Sequence, residues 1–248
     1  MSKVPPIRDY SRFDPLAYLS EYYSEVGPEN DFLLRFYEDS YRVLPQDITV
    51  LEVGGGPTIY QLMSASVRAH SITFAEFLPQ NRAAVAAWLE GEAPREFSWE
   101  RFLTRVAELA PNIDVAELRE GIREKVTQIV ECNLWNEKPI PACTATTFDV
   151  VSSAFCAECI DSSPENYRMF LKRLTSYLRP GGTLLLTALE NATEYRVGES
   201  WFPACPLTLE QLQAEVRALG FSPRDARRVP AEHAQGYDGL LAVRAEAI

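Results

Sequence analysis

Apolar side chains in this sequence fall in runs whose spacing separates strands from helices. The sharpest run is Ile48-Thr49-Val50-Leu51-Glu52-Val53, whose β-branched and apolar residues read as a strand buried on both faces. Gly54, Gly55 and Gly56 follow and let the backbone turn sharply. Pro57 suits the first position of a helix, and Ile59, Leu62, Met63 and Ser66 then share one helical face. Strand, glycine turn and helix open a doubly wound α/β fold, which holds its ligand outside the carboxyl end of the strand.

Upstream, Leu16, Leu19, Tyr22 and Tyr23 share a helical face, Gly27-Pro28 breaks it, and Phe32, Leu33, Phe36, Tyr37 and Tyr41 build a second helix before Pro45. These two helices either cover the sheet or form a lid that presents tyrosines to a ligand. Downstream, residues 71–75 read as a strand ending at Glu76, and a helix over 79–89 turns Val85, Trp88 and Leu89 inward. Ser98 caps a further helix carrying Trp99, Phe102, Leu103, Val106 and Leu109 on one face, and 115–124 reads as another. Residues 125–132 and 147–153 read as the third and fourth strands. A helix over 164–178 stops at the turn Arg179-Pro180-Gly181-Gly182, and a fifth strand covers 183–189. Residues 195–199 with Trp201-Phe202 read as a hairpin. A helix over 209–219 and strands near 224–229 and 239–244 complete the pattern. We expect one domain over 1–248, with a helical lid over 1–45 and a helical insertion over 92–124.

Composition narrows the partners. At 46% hydrophobic residues the 248-residue chain can bury a sizeable core. A net charge of −11 argues against a nucleic-acid backbone or an anionic membrane as partner. No apolar run approaches a membrane span, the first ten residues lack the apolar centre of a signal peptide, and five cysteines are too sparse for a disulfide framework. A cytoplasmic protein with a small-molecule substrate is expected.

The glycines also select among ligands. A dinucleotide fingerprint needs glycine at its sixth position, where this chain has Ile59. Glu52, Gly54 and Gly56 instead resemble the nucleoside-binding turn of class I S-adenosylmethionine (SAM) methyltransferases. Glu76, about 20 residues past the glycines, stands where an acid of a βαβ unit meets ribose hydroxyls.

Along most of its length the chain resembles the methyltransferases of nicotinamide, phenylethanolamine and indolethylamine. The matching pieces are FDPLAYLSEYY, LEVGGGPTIYQLMSA, QN in the second βα turn, SWE before the inserted helix, LRPGGTLLLTALE, and YRVGE followed by PLT. The resemblance implies an α/β fold: a Rossmann-like class I methyltransferase sheet, mostly parallel with an antiparallel terminal strand, under an N-terminal helical lid. It implies SAM as co-substrate, methyl transfer to an amine or heteroaromatic nitrogen, and no metal.

Carried over by position, the resemblance puts Tyr18 and Tyr23 over the methionine portion of SAM, with Gly54, Gly56 and Tyr60 beside it. Glu76 would hold the ribose, Asn81 the adenosine side, and Asn133 with Leu134 the adenine. Ala154 stands where relatives carry threonine. Glu158 and Tyr195 match acceptor-pocket positions, Glu158 to orient the acceptor and Tyr195 to line it. Ala188 and Ala204 replace an aspartate and a small hydroxyl residue of nicotinamide-type pockets, and Glu190 shares the face of Ala188 only if the fifth strand runs unbroken. Two alternatives stay open: attack at the γ-carbon of SAM with release of methylthioadenosine, or SAM binding without catalysis. Cys156 and Cys159 form a lone C-x-x-C that reads as reduced thiols rather than a zinc site. His70 opens the second strand, and His233 is a candidate base.

Overall fold

In the computed structural model, residues 9–92, 96–110, 112–143, 145, 147–232 and 236–248 are described. Seven strands form one sheet in the order β3-β2-β1-β4-β5-β9-β8. The first five are β1 (Ile48–Val53), β2 (Ala69–Glu76), β3 (Val126–Glu131), β4 (Phe148–Ala154) and β5 (Leu178–Glu190), all parallel. β9 (Gly239–Ala247) lies antiparallel to β5, and β8 (Phe221–Pro230) antiparallel to β9. The strand order reverses between β1 and β4, so their carboxyl ends flank the crevice where such sheets take ligands.

Alternation along the strands sends side chains into two cores. Val50, Ile72, Phe74, Val150 and Leu185 join one layer, with α2 (Pro28–Arg42), α3 (Tyr60–Arg68), α5 (Glu100–Leu109) and α6 (Val115–Lys125). Leu51, Val53, Val151, Leu184 and Leu186 face the other, with α7 (Pro164–Thr175) and α8 (Leu209–Ala218). Between β2 and β3, α5 and α6 pack on α3. Asp114 and Glu117 close a capping box at α6, and the Ser98 hydroxyl accepts the Glu100 amide at 3.3 Å at the start of α5.

Three expectations are corrected. Pro57 is not a helix start: the chain stays irregular through Ile59, and α3 begins at Tyr60. Leu16 is exposed, so the buried face of α1 (Pro15–Tyr22) rests on Leu19. Arg179-Pro180-Gly181-Gly182 does not separate helix from strand, because α7 already ends at Thr175 and β5 runs from Leu178 through these four residues. They bulge out of the ladder, as the pairing steps from Phe148↔Leu178 to Val150↔Thr183. Gly181 takes the left-handed turn at φ 70°, and a Cβ on Gly182 would sit 2.9 Å from the Asp149 carbonyl. The hairpin is present, β6 (Glu194–Val197) pairing with β7 (Ser200–Pro203). No helix among the described residues is long and apolar enough to cross a membrane.

Candidate active site

The glycine turn after β1 is fixed by the residues that follow it. Gly54 and Gly56 have φ of 70° and 62°, which favour glycine. Gly55 is constrained by space instead: a Cβ there would lie 2.7 Å from the Phe74 ring and 2.4 Å from the Gln61 amide. Thr58 Oγ1 donates to the Gly55 carbonyl at 2.6 Å and Gln61 Nε2 to the same oxygen at 3.3 Å, so the buried polar residues of GPTIYQL hold the turn's shape. From the next strand Glu76 closes the site. Its Oε2 accepts the Gly56 amide at 3.1 Å, while Oε1 accepts the Leu78 amide at 2.8 Å and Asn81 Nδ2 at 3.2 Å. Burial raises the Glu76 pKa, and these amides oppose the rise.

Above this floor lies a cavity of about 390 Å³. Its cover comes from the N-terminus, where Phe13, Tyr18 and Tyr23 pack ring to ring and Tyr23 stacks on Tyr60 at 5.3 Å. Burial pushes the Tyr23 phenol up to about 12, so it is a neutral hydroxyl. The cover is tied down at several points. Tyr10 donates to the Cys159 carbonyl at 2.6 Å, Tyr22 to the Arg196 carbonyl at 2.7 Å, and Gln80 Nε2 to the Phe13 carbonyl at 3.3 Å. Past the end of β3, Asn133 and Leu134 line the wall together with the half-exposed rings of Phe77 and Trp135. The Asn133 side-chain oxygen accepts the Trp135 amide at 2.9 Å and keeps a second lone pair.

The other end of the cavity sits over β5 and β9, where Leu189 pairs with Leu240. Tyr237, whose hydroxyl donates to Glu29, lines the cavity together with Tyr195, Glu29 and Asp161. Phe155, directly after β4, takes a left-handed φ of 49° at the cavity wall, a strained geometry for an aromatic residue. No Lys, Arg or His occurs among the described lining residues. Beneath the glycine turn Glu52 is buried with Tyr37, Tyr41, Ser152 and Thr187, and the Ser152 hydroxyl beside it only partly offsets the cost of burying its carboxylate. Burial pushes the Glu52 carboxyl up to about 8.

The sequence profile of the NNMT/PNMT/TEMT family matches residues 4–246. The chain belongs to this family. Nicotinamide N-methyltransferase of Homo sapiens is 30% identical to it, across 86% of this chain and 83% of that one. Phenylethanolamine N-methyltransferase of Homo sapiens is 28% identical, across 94% and 87%. A solved SAM-dependent methyltransferase from Methanosarcina mazei superposes with a TM-score of 0.57 at 14% identity, covering 84% of this chain and 96% of that one, a likeness of fold. The protein is accordingly a SAM-dependent methyltransferase of α/β, mostly parallel architecture. Its polar cradle suits SAM: Glu76 and the glycine turn face the cavity, and the buried Asn81 Oδ1 has no partner among the described residues.

For this NNMT/PNMT/TEMT member the sequence-predicted residues Tyr18, Tyr23, Gly54, Gly56, Tyr60, Glu76, Asn81, Asn133, Leu134, Ala154 and Tyr195 all line this cavity. Glu158 does not. The short 3-10 turn Ala157–Cys159 buries its carboxylate against the Leu189 amide, 3.3 Å away, and Cys159 Sγ. Burial pushes this carboxyl up to about 7. Ala188 and Ala204 are buried off the cavity. β5 does run unbroken to Glu190, but that side chain pairs with Arg228 at 2.6 Å. Cys156 and Cys159 are free thiols on the cavity wall, and the described residues contain no group of three or more potential metal ligands. His70 lies at the opposite surface beside Asp47, and His233 lies outside the described residues. Glu29, Asp161 and Tyr237 were missed by sequence reasoning; the only hint was Asp161's place in the segment ECIDSS.

Proposed function

We propose that this methyltransferase transfers its methyl group to the nitrogen of a small amine with an apolar or aromatic body. The observation that carries this is the part of the cavity where the Glu29 carboxylate meets the Tyr237 ring, with no cation among the described lining residues. Such a surface attracts a cationic or N–H-bearing acceptor and repels an anionic one. The names of the relatives, methyltransferases of nicotinamide and phenylethanolamine, agree with nitrogen as the nucleophile.

SAM supplies the reactive methyl on a sulfonium that leaves as a thioether. In this reading Glu76 accepts a ribose hydroxyl at the remaining position of Oε2, Asn81 takes the adenosine side, and Asn133 with Leu134 border adenine. Tyr18, Tyr23 and Tyr60 enclose the methionine portion and exclude water. The chain's contribution is alignment: nitrogen, methyl carbon and sulfur held in line at about 3 Å. The amine must be neutral as its lone pair forms the C–N bond, so its proton leaves to water before or during transfer. The five free cysteines support a reducing compartment, the cytoplasm.

Incubation with SAM and a panel of aromatic amines tests the proposal by mass spectrometry. S-adenosylhomocysteine and N-methylated amine in equal amounts are expected. Steady methylthioadenosine formation without any acceptor, or unchanged SAM with every amine, overturns it.

A further inference from the structure

Two carboxylates besides Glu76 line the cavity, and they are held differently. Asp161 Oδ1 accepts the Ser163 amide at 2.9 Å, which ties this side chain to the start of α7. Glu29 stands half-buried in the first turn of α2 and is built into a latch between distant segments. Its Oε1 accepts the Glu232 amide at 3.1 Å, and Glu232 Oε2 accepts the Glu29 amide at 3.2 Å. The Tyr237 hydroxyl donates to Glu29 Oε2 at 3.0 Å. Gly27 gives the latch its room, since a Cβ there would lie 2.7 Å from the Glu232 carboxylate.

We propose that Glu29, oriented by Tyr237 and the Glu232 latch, is the carboxylate by which this enzyme selects a cationic amine acceptor. The inference rests on the amine reading above and assigns its specificity to a residue outside every sequence motif of the family resemblance.

The chemistry follows from what each neighbour leaves unused. A carboxylate oxygen can accept two hydrogen bonds. Each Glu29 oxygen accepts one, leaving two acceptor positions for an ammonium group. Burial, and then the Glu29 charge, hold the Tyr237 phenol protonated, so it steers the carboxylate as a donor. Asn30 does not compete, because its amide donates to the Tyr22 and Glu25 carbonyls, each at 2.9 Å. The rings of Tyr22 and Tyr237 flank the same part of the cavity and favour a cation over their faces.

The test uses protein saturated with S-adenosylhomocysteine and compares 2-phenylethylamine with its neutral isostere 2-phenylethanol by calorimetry. Wild type should bind the amine at least about tenfold more tightly, the scale of one or two charge-assisted bonds. Glu29→Gln should erase that preference while leaving S-adenosylhomocysteine affinity unchanged, and Tyr237→Phe should reduce it. Should Glu29→Gln fail to fold, Glu29→Asp keeps the charge but withdraws it by one methylene, and it should weaken amine binding alone. Equal binding of amine and alcohol by wild type, an intact preference in the Glu29 variants, or a loss confined to Asp161→Asn overturns the assignment. Methyl transfer is read separately as release of S-adenosylhomocysteine from SAM. Its absence beside an intact amine preference sinks the methylation reading and leaves the Glu29 assignment standing.

Discussion

Glu76 Oε2 accepts the backbone amide of Gly56 at 3.1 Å, so the acid ending β2 helps hold the turn that ends β1. With Oε1 taken by the Leu78 amide and Asn81, Oε2 keeps one acceptor position, and a charge-assisted bond there is worth about 1.5–3 kcal/mol. Glu76→Ala should therefore weaken SAM binding by at least about tenfold in a protein that still folds. Calorimetry showing wild-type affinity in the folded variant would remove Glu76 from the ligand.

The aromatic cover makes a separate prediction. Residues 10–23 should exchange amide hydrogens freely without SAM and slowly with it. Tyr22→Phe, which cuts the tie to the Arg196 carbonyl, should raise exchange in the free protein and slightly weaken SAM. Identical exchange with and without ligand would make these tyrosines packing residues only.

Gly55 offers a test of the turn itself. Gly55→Ala drives a methyl toward the Phe74 ring and the Gln61 amide, and overpacking of this kind costs about 1–3 kcal/mol. Both melting temperature and SAM affinity should fall. A variant that melts and binds as wild type would show that the turn relaxes freely.

These local features were legible in the sequence because each is written within a few residues. The glycine turn, Glu76 and the alternation of β1 and β2 needed no long-range information. Pro57 misled because a favourable first-turn residue does not start a helix when Thr58 and Gln61 bind the turn carbonyls first. The Arg-Pro-Gly-Gly segment misled because pairing with β4 continues on both sides of it. The acceptor end was largely illegible. Glu29 and Tyr237 are separated by 208 positions and meet only once the sheet has brought β9 beside β5. Glu158 matched by position, but its backbone turn sends the side chain into the wall.

Stability should carry the signature of Glu52. Its folded value of about 8 lies above the ordinary 4.5, so the folded protein keeps a proton that the unfolded chain releases between those pH values. This contribution is complete below the unfolded value and is lost as pH rises toward 8, by about 1.4 kcal/mol for each pH step crossed in that window. Glu158, raised to about 7, acts in the same direction. Glu52→Gln cannot titrate, so its melting temperature should gain on wild type between about pH 5 and pH 8.5. Parallel curves would mean that Glu52 is not buried in neutral form.

The ties of the N-terminal cover reach the strand-end turns beside the glycines and the hairpin that carries Tyr195. A cover tied at both places is expected to open and close over the whole cavity as one flap. Both substrates should then be bound together before transfer, as direct attack of the amine on SAM requires. Steady-state plots at varied amine should intersect, and the slowest event in the cycle should be the departure of S-adenosylhomocysteine as the flap lifts.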